Sequence, residues 1–220
     1  MKTPAAKSTG ANAFELPVAC LERAHKLIAQ GGRKILGIVA PPGAGKSTLA
    51  EHLSRALGDL AQVVPMDGFH LSNAALNKLG LRHRKGAADT FDAHGYVNLL
   101  RRLRQQQIDE VIYAPEYLRS FEEGIAGSIA VQAGTPLIIT EGNYLLMQDG
   151  PWGQVRGLLD ESWYLDIDDT LRESRLLERH VQFGKTREEA TAWIAATDAP
   201  NALQIAASSV WADWRIALKT

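Results

Sequence analysis

Apolar positions along this chain fall into two kinds of spacing. Short unbroken runs, of the length expected for strands buried on both faces, occur at 33–39 (Ile35, Leu36, Ile38, Val39), 61–66, 136–140 (Leu137, Ile138, Ile139) and 162–165. Between them, apolar residues recur every third or fourth position. That period predicts helices over 16–30 (Leu21, Ala24, Leu27, Ile28, stopped by Gly31 and Gly32), from Lys46 onward (Leu49, Leu53, Leu57), and over 72–79, 96–107 (Val97, Leu100, Leu103), 170–183 and 188–197. Asp168 is the expected N-cap of the helix over 170–183, and Asp198 to Asn201 the break after the helix over 188–197. Weaker signals suggest a brief strand at 110–113, a loop over 114–127, an edge piece at 128–131, a short helix running to Asp160 and a closing strand over 208–218. Strands alternating with helices predict an α/β fold: three layers around a mostly parallel sheet.

The stretch joining the first buried run to the helix at Lys46 carries the clearest chemistry. Pro41, Pro42, Gly43 and Gly45 forbid regular structure, and Gly45-Lys46-Ser47-Thr48 then opens the helix. Strand, glycine-rich loop and helix N-terminus make a phosphate-binding loop. Backbone N–H groups of Gly43, Ala44, Gly45, Lys46, Ser47 and Thr48 would cradle a nucleotide's phosphates, with the Lys46 ammonium on the β/γ-phosphates and the Ser47 hydroxyl on Mg²⁺. The first glycine of the usual pattern is replaced by Ala40, which is small enough to keep the turn.

Two acidic residues stand where the second and third runs end. Ligands of open parallel sheets bind beyond the carboxyl ends of the strands, which brings Asp67 and Glu141 toward the phosphate loop. Glu141 is the expected Mg²⁺ carboxylate, and Asp67 the expected base beside an acceptor hydroxyl, with metal binding as its competing role. Arg172, Arg175 and Arg179 share one face of the 170–183 helix. Arg172 reads as solvated, whereas Arg175 and Arg179 can neutralise a transferring phosphoryl group. The basic run Arg82-His83-Arg84-Lys85 is either a solvated charge cluster or a cradle for an anionic substrate. Asn77-Lys78-Leu79-Gly80 lacks the aspartate of a guanine-reading motif, which argues against a switch GTPase. Phosphate cradle, metal ligands, carboxylate and arginines together fit a small-molecule kinase that uses ATP and Mg²⁺.

Composition removes other classes. A chain of 220 residues, 45% hydrophobic and 22% charged, suits one core. We expect a tail over 1–12, without a secretory signal, and one domain over 13–220. A formal net charge of −1 gives no nucleic-acid or anionic-membrane surface, and no apolar run nears the ~18 residues of a membrane span. The single cysteine, Cys20, allows no internal disulfide and fits a reducing, cytoplasmic setting. The histidines lack metal-ligand spacing, so no zinc site is expected.

The runs GIVAPPGAGKST, VVPMDGFHLSN, LRHRKGAADTFD, LIITEGNYLL and RLLERHVQFGK resemble the bacterial kinases known as fructose transport system kinases. These lie within the phosphoribulokinase, uridine kinase and bacterial pantothenate kinase group of P-loop kinases. The resemblance implies a P-loop fold with a short helical lid carrying Arg175 and Arg179, Asp67 as catalytic base, Glu141 beside Mg²⁺, and Asn201 near the nucleotide. It also implies an acceptor site drawn from His70, Arg84, Lys85, Tyr117, Arg119 and Asn143. Leu118 departs from that pattern, because similar sequences carry an aspartate before this arginine. The implied reaction is phosphorylation of a hydroxyl on a small molecule, a fructose-like sugar first, with a nucleoside, a pantothenate-type vitamin or a nucleotide-dependent switch as alternatives. The expected partner is the acceptor itself; homodimerisation is left open.

Overall fold

Alternation along the buried strands decides how the layers form. In a computed structural model describing residues 14–217, β1 (Lys34–Val39) turns Ile35 and Val39 to one face and Leu36 and Ile38 to the other. β5 (Leu137–Gly142) splits the same way, Ile138 against Leu137 and Ile139, and so does β6 (Glu161–Asp166), Tyr164 against Trp163 and Leu165. Each face is therefore apolar and needs its own cover. α1 (Val18–Ile28) and α2 (Lys46–Leu57) cover one face through Cys20, Ala24, Leu27, Leu49, Leu53 and Leu57. α3 (Asn73–Leu79) is a short helix capped by the Ser72 hydroxyl, and α4 (Ala93–Gln105) covers the other face through Tyr96, Val97, Leu100 and Leu103.

With β2 (Ala61–Val63) and β7 (Trp214–Ala217) the sheet runs β2-β5-β1-β6-β7, and every neighbouring pair is parallel. β1 lies at its centre. Its carboxyl end, where the phosphate loop begins, opens between the ends of β5 and β6. Glu141 pairs in register with Ile38, one residue before the end of β1. The carboxylate is thus carried to the phosphate loop by sheet register alone.

Several expected elements differ. The expected loop over 114–127 is ordered as β3 (Val111–Leu118) and β4 (Glu123–Gln132), an antiparallel pair separate from the main sheet. Pro115 sits at a register shift between Ala114 and Glu116, and a proline with nearby glycines masked the alternation. β2 ends at Val63, so Asp67 lies in a 3₁₀ turn (Met66–Phe69) beyond the strand. The helix expected before Asp160 is two 3₁₀ turns, Gly150–Gln154 and Arg156–Leu158. α6 (Arg187–Trp193) does not break at Asp198. It passes through a π turn (Ile194–Asp198) into α7 (Ala199–Ser208). Pro200 follows directly on the π turn, in the first turn of α7. A 3₁₀ turn (Ser209–Trp211) then shortens the closing strand to β7. The tail expected over 1–12 lies outside the described residues.

Candidate active site

The phosphate loop is built by conformations that only glycine adopts cheaply. Gly43 has φ 86° and Gly45, the N-cap of α2, has φ 91°. Gly43 is doubly constrained, because a Cβ there would lie 2.6 Å from the carbonyl oxygen of Arg172. That contact docks α5 (Asp169–Gln182) against the loop. The Asp168 carboxylate caps α5 by accepting from the Leu171 N–H at 3.0 Å. Arg172 does not face solvent as expected: it is 3% exposed, and its guanidinium donates to the Pro42 carbonyl (3.4 Å), Asp169 (2.8 Å) and Glu173 (3.2 Å). The arginine next to a proline-rich loop is the side chain that can satisfy that loop's carbonyl.

Lys46 opens α2 and is buried; burial pushes its ammonium pKa down, opposed by the charges of Glu141 and Asp67. Ser47 donates to Glu141 Oε1 at 2.8 Å. The second Glu141 oxygen, Oε2, is buried without a partner, and burial raises the pKa of this carboxyl. An orphaned carboxylate oxygen beside a hydroxyl, at the phosphate end of the cleft, is a donor set of the hard-oxygen kind that suits Mg²⁺.

Across the cleft, Asp67 is held by the β3–β4 hairpin. A Cβ on Gly68 would collide with the Pro115 carbonyl, so this glycine lets the hairpin backbone close on the turn that carries Asp67. The Asp67 carbonyl accepts from His70 Nδ1–H at 2.7 Å, and its carboxylate lies 3.5 Å from Arg119. Burial would raise the Asp67 pKa, but the charges of His70, Lys46, Arg119 and Arg179 together bring it below the ordinary carboxylate value. The His70 ring is packed between Phe91 (4.0 Å) and Tyr117 (4.4 Å), and burial lowers its pKa. Asn143 also lines the cleft, with its Oδ1 buried and unpartnered.

The third wall comes from α5 and the π turn. Arg175 and Arg179 line the cleft, one exposed and one half-buried. His180 is 2.9 Å from Asp198 of the π turn. Burial and then the charge of Arg119 lower the Arg179 pKa. Together these walls enclose about 1230 Å³.

Glu141 does not itself line the cleft and reaches it through its hydrogen bond to Ser47, and two expected site residues are not brought in. Arg84 points outward, pairs with Asp89 at 3.1 Å, and yields its place to Arg82, because successive residues of a 3₁₀ turn face different directions. Asn201 is buried in α7 and does not line the cleft; Asp198 does. Gly43, Ala44, Gly45, Lys46, Ser47, Thr48, Asp67, His70, Lys85, Tyr117, Arg119 and Asn143 all do. Sequence reasoning missed the segment 14–18, Glu122 and His180. No local motif marks them, because only the folding of distant elements gathers them there.

The sequence pattern of the phosphoribulokinase / uridine kinase family matches residues 35–206. Protein YggC of Escherichia coli (strain K12) is 36% identical over 182 residues, covering 80% of this chain and 74% of YggC. A candidate uridine kinase of Schizosaccharomyces pombe is 33% identical over 179 residues, 76% of each chain. Among solved structures, a candidate fructose transport system kinase from Silicibacter sp. TM1040 superposes with a TM-score of 0.82 at 35% identity, covering 93% of this chain and 100% of that one. The match spans the phosphate loop, the Asp67 turn, Glu141 and the arginine helix, and so this chain belongs to the phosphoribulokinase / uridine kinase family and is a small-molecule kinase.

Proposed function

We propose that this kinase transfers the γ-phosphoryl group of ATP to a hydroxyl of a small, sugar-like acceptor. The observation that carries the reading is a single cleft of about 1230 Å³ with the phosphate loop and Asp67 on facing walls. Ligand sites are commonly ~300–1,000 Å³, so this volume accommodates a nucleotide and an acceptor together. The likeness to the Silicibacter protein supports a sugar-like acceptor.

In this mechanism the phosphate-loop N–H groups and Lys46 hold the nucleotide's phosphates. Ser47 and Glu141 would hold Mg²⁺, which neutralises phosphate charge when bound. Asp67, ionised at neutral pH, accepts the proton of the acceptor hydroxyl as the phosphoryl arrives. Asn143 Oδ1 accepts a hydrogen bond from the acceptor and orients it. Arg175 and Arg179 lie on the side of the cleft where α5 and α6 can close, and their charge offsets that building on the transferred oxygens.

The test is ADP release with a panel of sugars, nucleosides and vitamins, scored against the background without acceptor. Stimulation by sugars or sugar derivatives supports the proposal. Stimulation by nucleosides or vitamins alone replaces the acceptor class, and none across a broad panel, with a protein partner bound only in the ATP state, favours a switch.

A further inference from the structure

We infer that the acceptor is an anion: it carries a carboxylate or phosphate group that sits between Lys85 and Arg119, against the ring of Tyr117. The inference deepens the kinase reading above and rests on it for the word acceptor.

Lys85 is 7% exposed, yet it forms no ion pair among the described residues. Its ammonium donates to Asn73 Oδ1 at 2.7 Å and to the Glu122 backbone carbonyl, both neutral acceptors, leaving one proton free. A buried ammonium without a counter-charge is costly. The carboxylates nearest it are engaged elsewhere: Glu122 Oε2 accepts from Arg82 at 2.5 Å, and Glu123 Oε1 from the Asn73 N–H at 2.9 Å. Burial lowers the Lys85 pKa, and the charges of Glu123 and Glu122, neither carboxylate in contact with the ammonium, oppose it only in part.

Arg119 is the second cation. Its only ion pair among the described residues is the 3.5 Å contact with Asp67, near the limit of hydrogen-bond range, and its side chain is 41% exposed to the cleft. Lys85 Nζ and the Arg119 guanidinium lie 5.7 Å and 6.0 Å from the centre of the Tyr117 ring. Both lie within cation–π range of the ring, which is itself packed against His70. A planar fork and a point charge around one rigid ring suit a small oxyanion. The hydroxyl end of the same molecule would reach Asp67, the ion-pair partner of Arg119, and Asn143 Oδ1.

Leu118, the residue before Arg119, is apolar and adds no negative charge beside the cationic pair. A neutral polyol offers nothing to offset Lys85. A sugar phosphate or a hydroxy acid does.

The experiment compares matched pairs, D-fructose with fructose 1-phosphate and fructose 6-phosphate, and glycerol with glycerate. Binding is measured by calorimetry on the full chain with its phosphate loop filled by Mg²⁺ and a non-hydrolysable ATP analogue; turnover is measured separately with ATP. Charge-assisted hydrogen bonds predict at least ~10-fold tighter binding of one anionic member than of its neutral counterpart. The phosphate and carboxylate series tell the two sources of anion apart. Arg119→Gln and Lys85→Met should each collapse the ratio toward unity. Arg119→Gln alone suffices if loss of the Lys85 clamp unfolds the hairpin. Equal binding within every pair, absence of binding by every anion, or a ratio that survives Arg119→Gln overturns the inference. Anion-selective binding without ADP release would count against phosphoryl transfer instead, and turnover of neutral acceptors alone against the anion site.

Discussion

Asp67 shows how four neighbours decide one side chain's chemistry. A carboxylate as enclosed as this one would ordinarily gain a raised pKa, but His70, Lys46, Arg119 and Arg179 reverse the sign. It is therefore ionised throughout the neutral range and needs no activation to act as a base. Asp67→Asn should lower kcat by ~10²-fold or more while Mg-ATP affinity changes little. Recovery of most of the rate at high Mg²⁺ would instead assign Asp67 to the metal. Glu141 shifts the other way. Its pKa is raised by burial, so it takes up a proton at a higher pH than an ordinary glutamate, and under the proposed mechanism proton and Mg²⁺ would compete for it. The acid limb of kcat/KM should move to lower pH as Mg²⁺ is increased. A limb indifferent to Mg²⁺ rules out Glu141 as the metal carboxylate.

At the scale of elements, α5 and the hairpin do separate work. Arg175 and Arg179 are one helical turn apart on α5, and both line the cleft. Because such charges act mainly on the transition state, Arg179→Ala should reduce kcat more than ATP binding. A loss in ATP affinity with kcat intact would make it a ground-state phosphate ligand. The hairpin's contact depends on Gly68. Gly68→Ala forces Pro115 and the strand that carries it away from the Asp67 turn. The expected result is a raised KM for the acceptor with ATP binding retained, measured by steady-state kinetics against both substrates. An unchanged acceptor KM would mean that the hairpin is not part of the acceptor site.

At the scale of the molecule, one arginine ties the layers together. Arg33, just before β1, donates to the backbone carbonyls of Leu103 (3.2 Å), Thr135 (3.1 Å), Gln132 (2.5 Å) and Ala133 (2.8 Å). These carbonyls belong to the end of α4 and to the connection between β4 and β5. Arg33→Ala leaves them without that donor, three of them in partly buried contacts, which should cost on the order of 2 kcal/mol. A shift in the denaturant midpoint with unchanged m-value would register it, and no shift would show that water replaces the guanidinium. Among the described residues no helix is long and apolar enough to cross a membrane.

The sequence by itself determined what depends on local pattern. Buried runs at 33–39, 136–140 and 162–165 became β1, β5 and β6, because only a strand covered on both faces uses a continuous apolar run. Gly43, Gly45, Lys46 and Ser47 were readable because a phosphate loop needs positive φ and a helix start at fixed offsets. The carboxylate of Glu141 was readable from its place at the end of a run. Tertiary structure decided the rest. Whether Arg172 is solvated or buried depends on the Pro42 carbonyl, which is distant in sequence. Whether Arg82 or Arg84 faces the cleft depends on the phase of a three-residue turn. The hairpin over 111–132 was hidden by its proline, since its order comes from pairing and from docking on Gly68 rather than from its own alternation. Asp198 entered the cleft in place of Asn201 because a π turn carried the chain past an apparent break. In each case a partner far along the chain made the choice, and local periodicity carries no record of that partner.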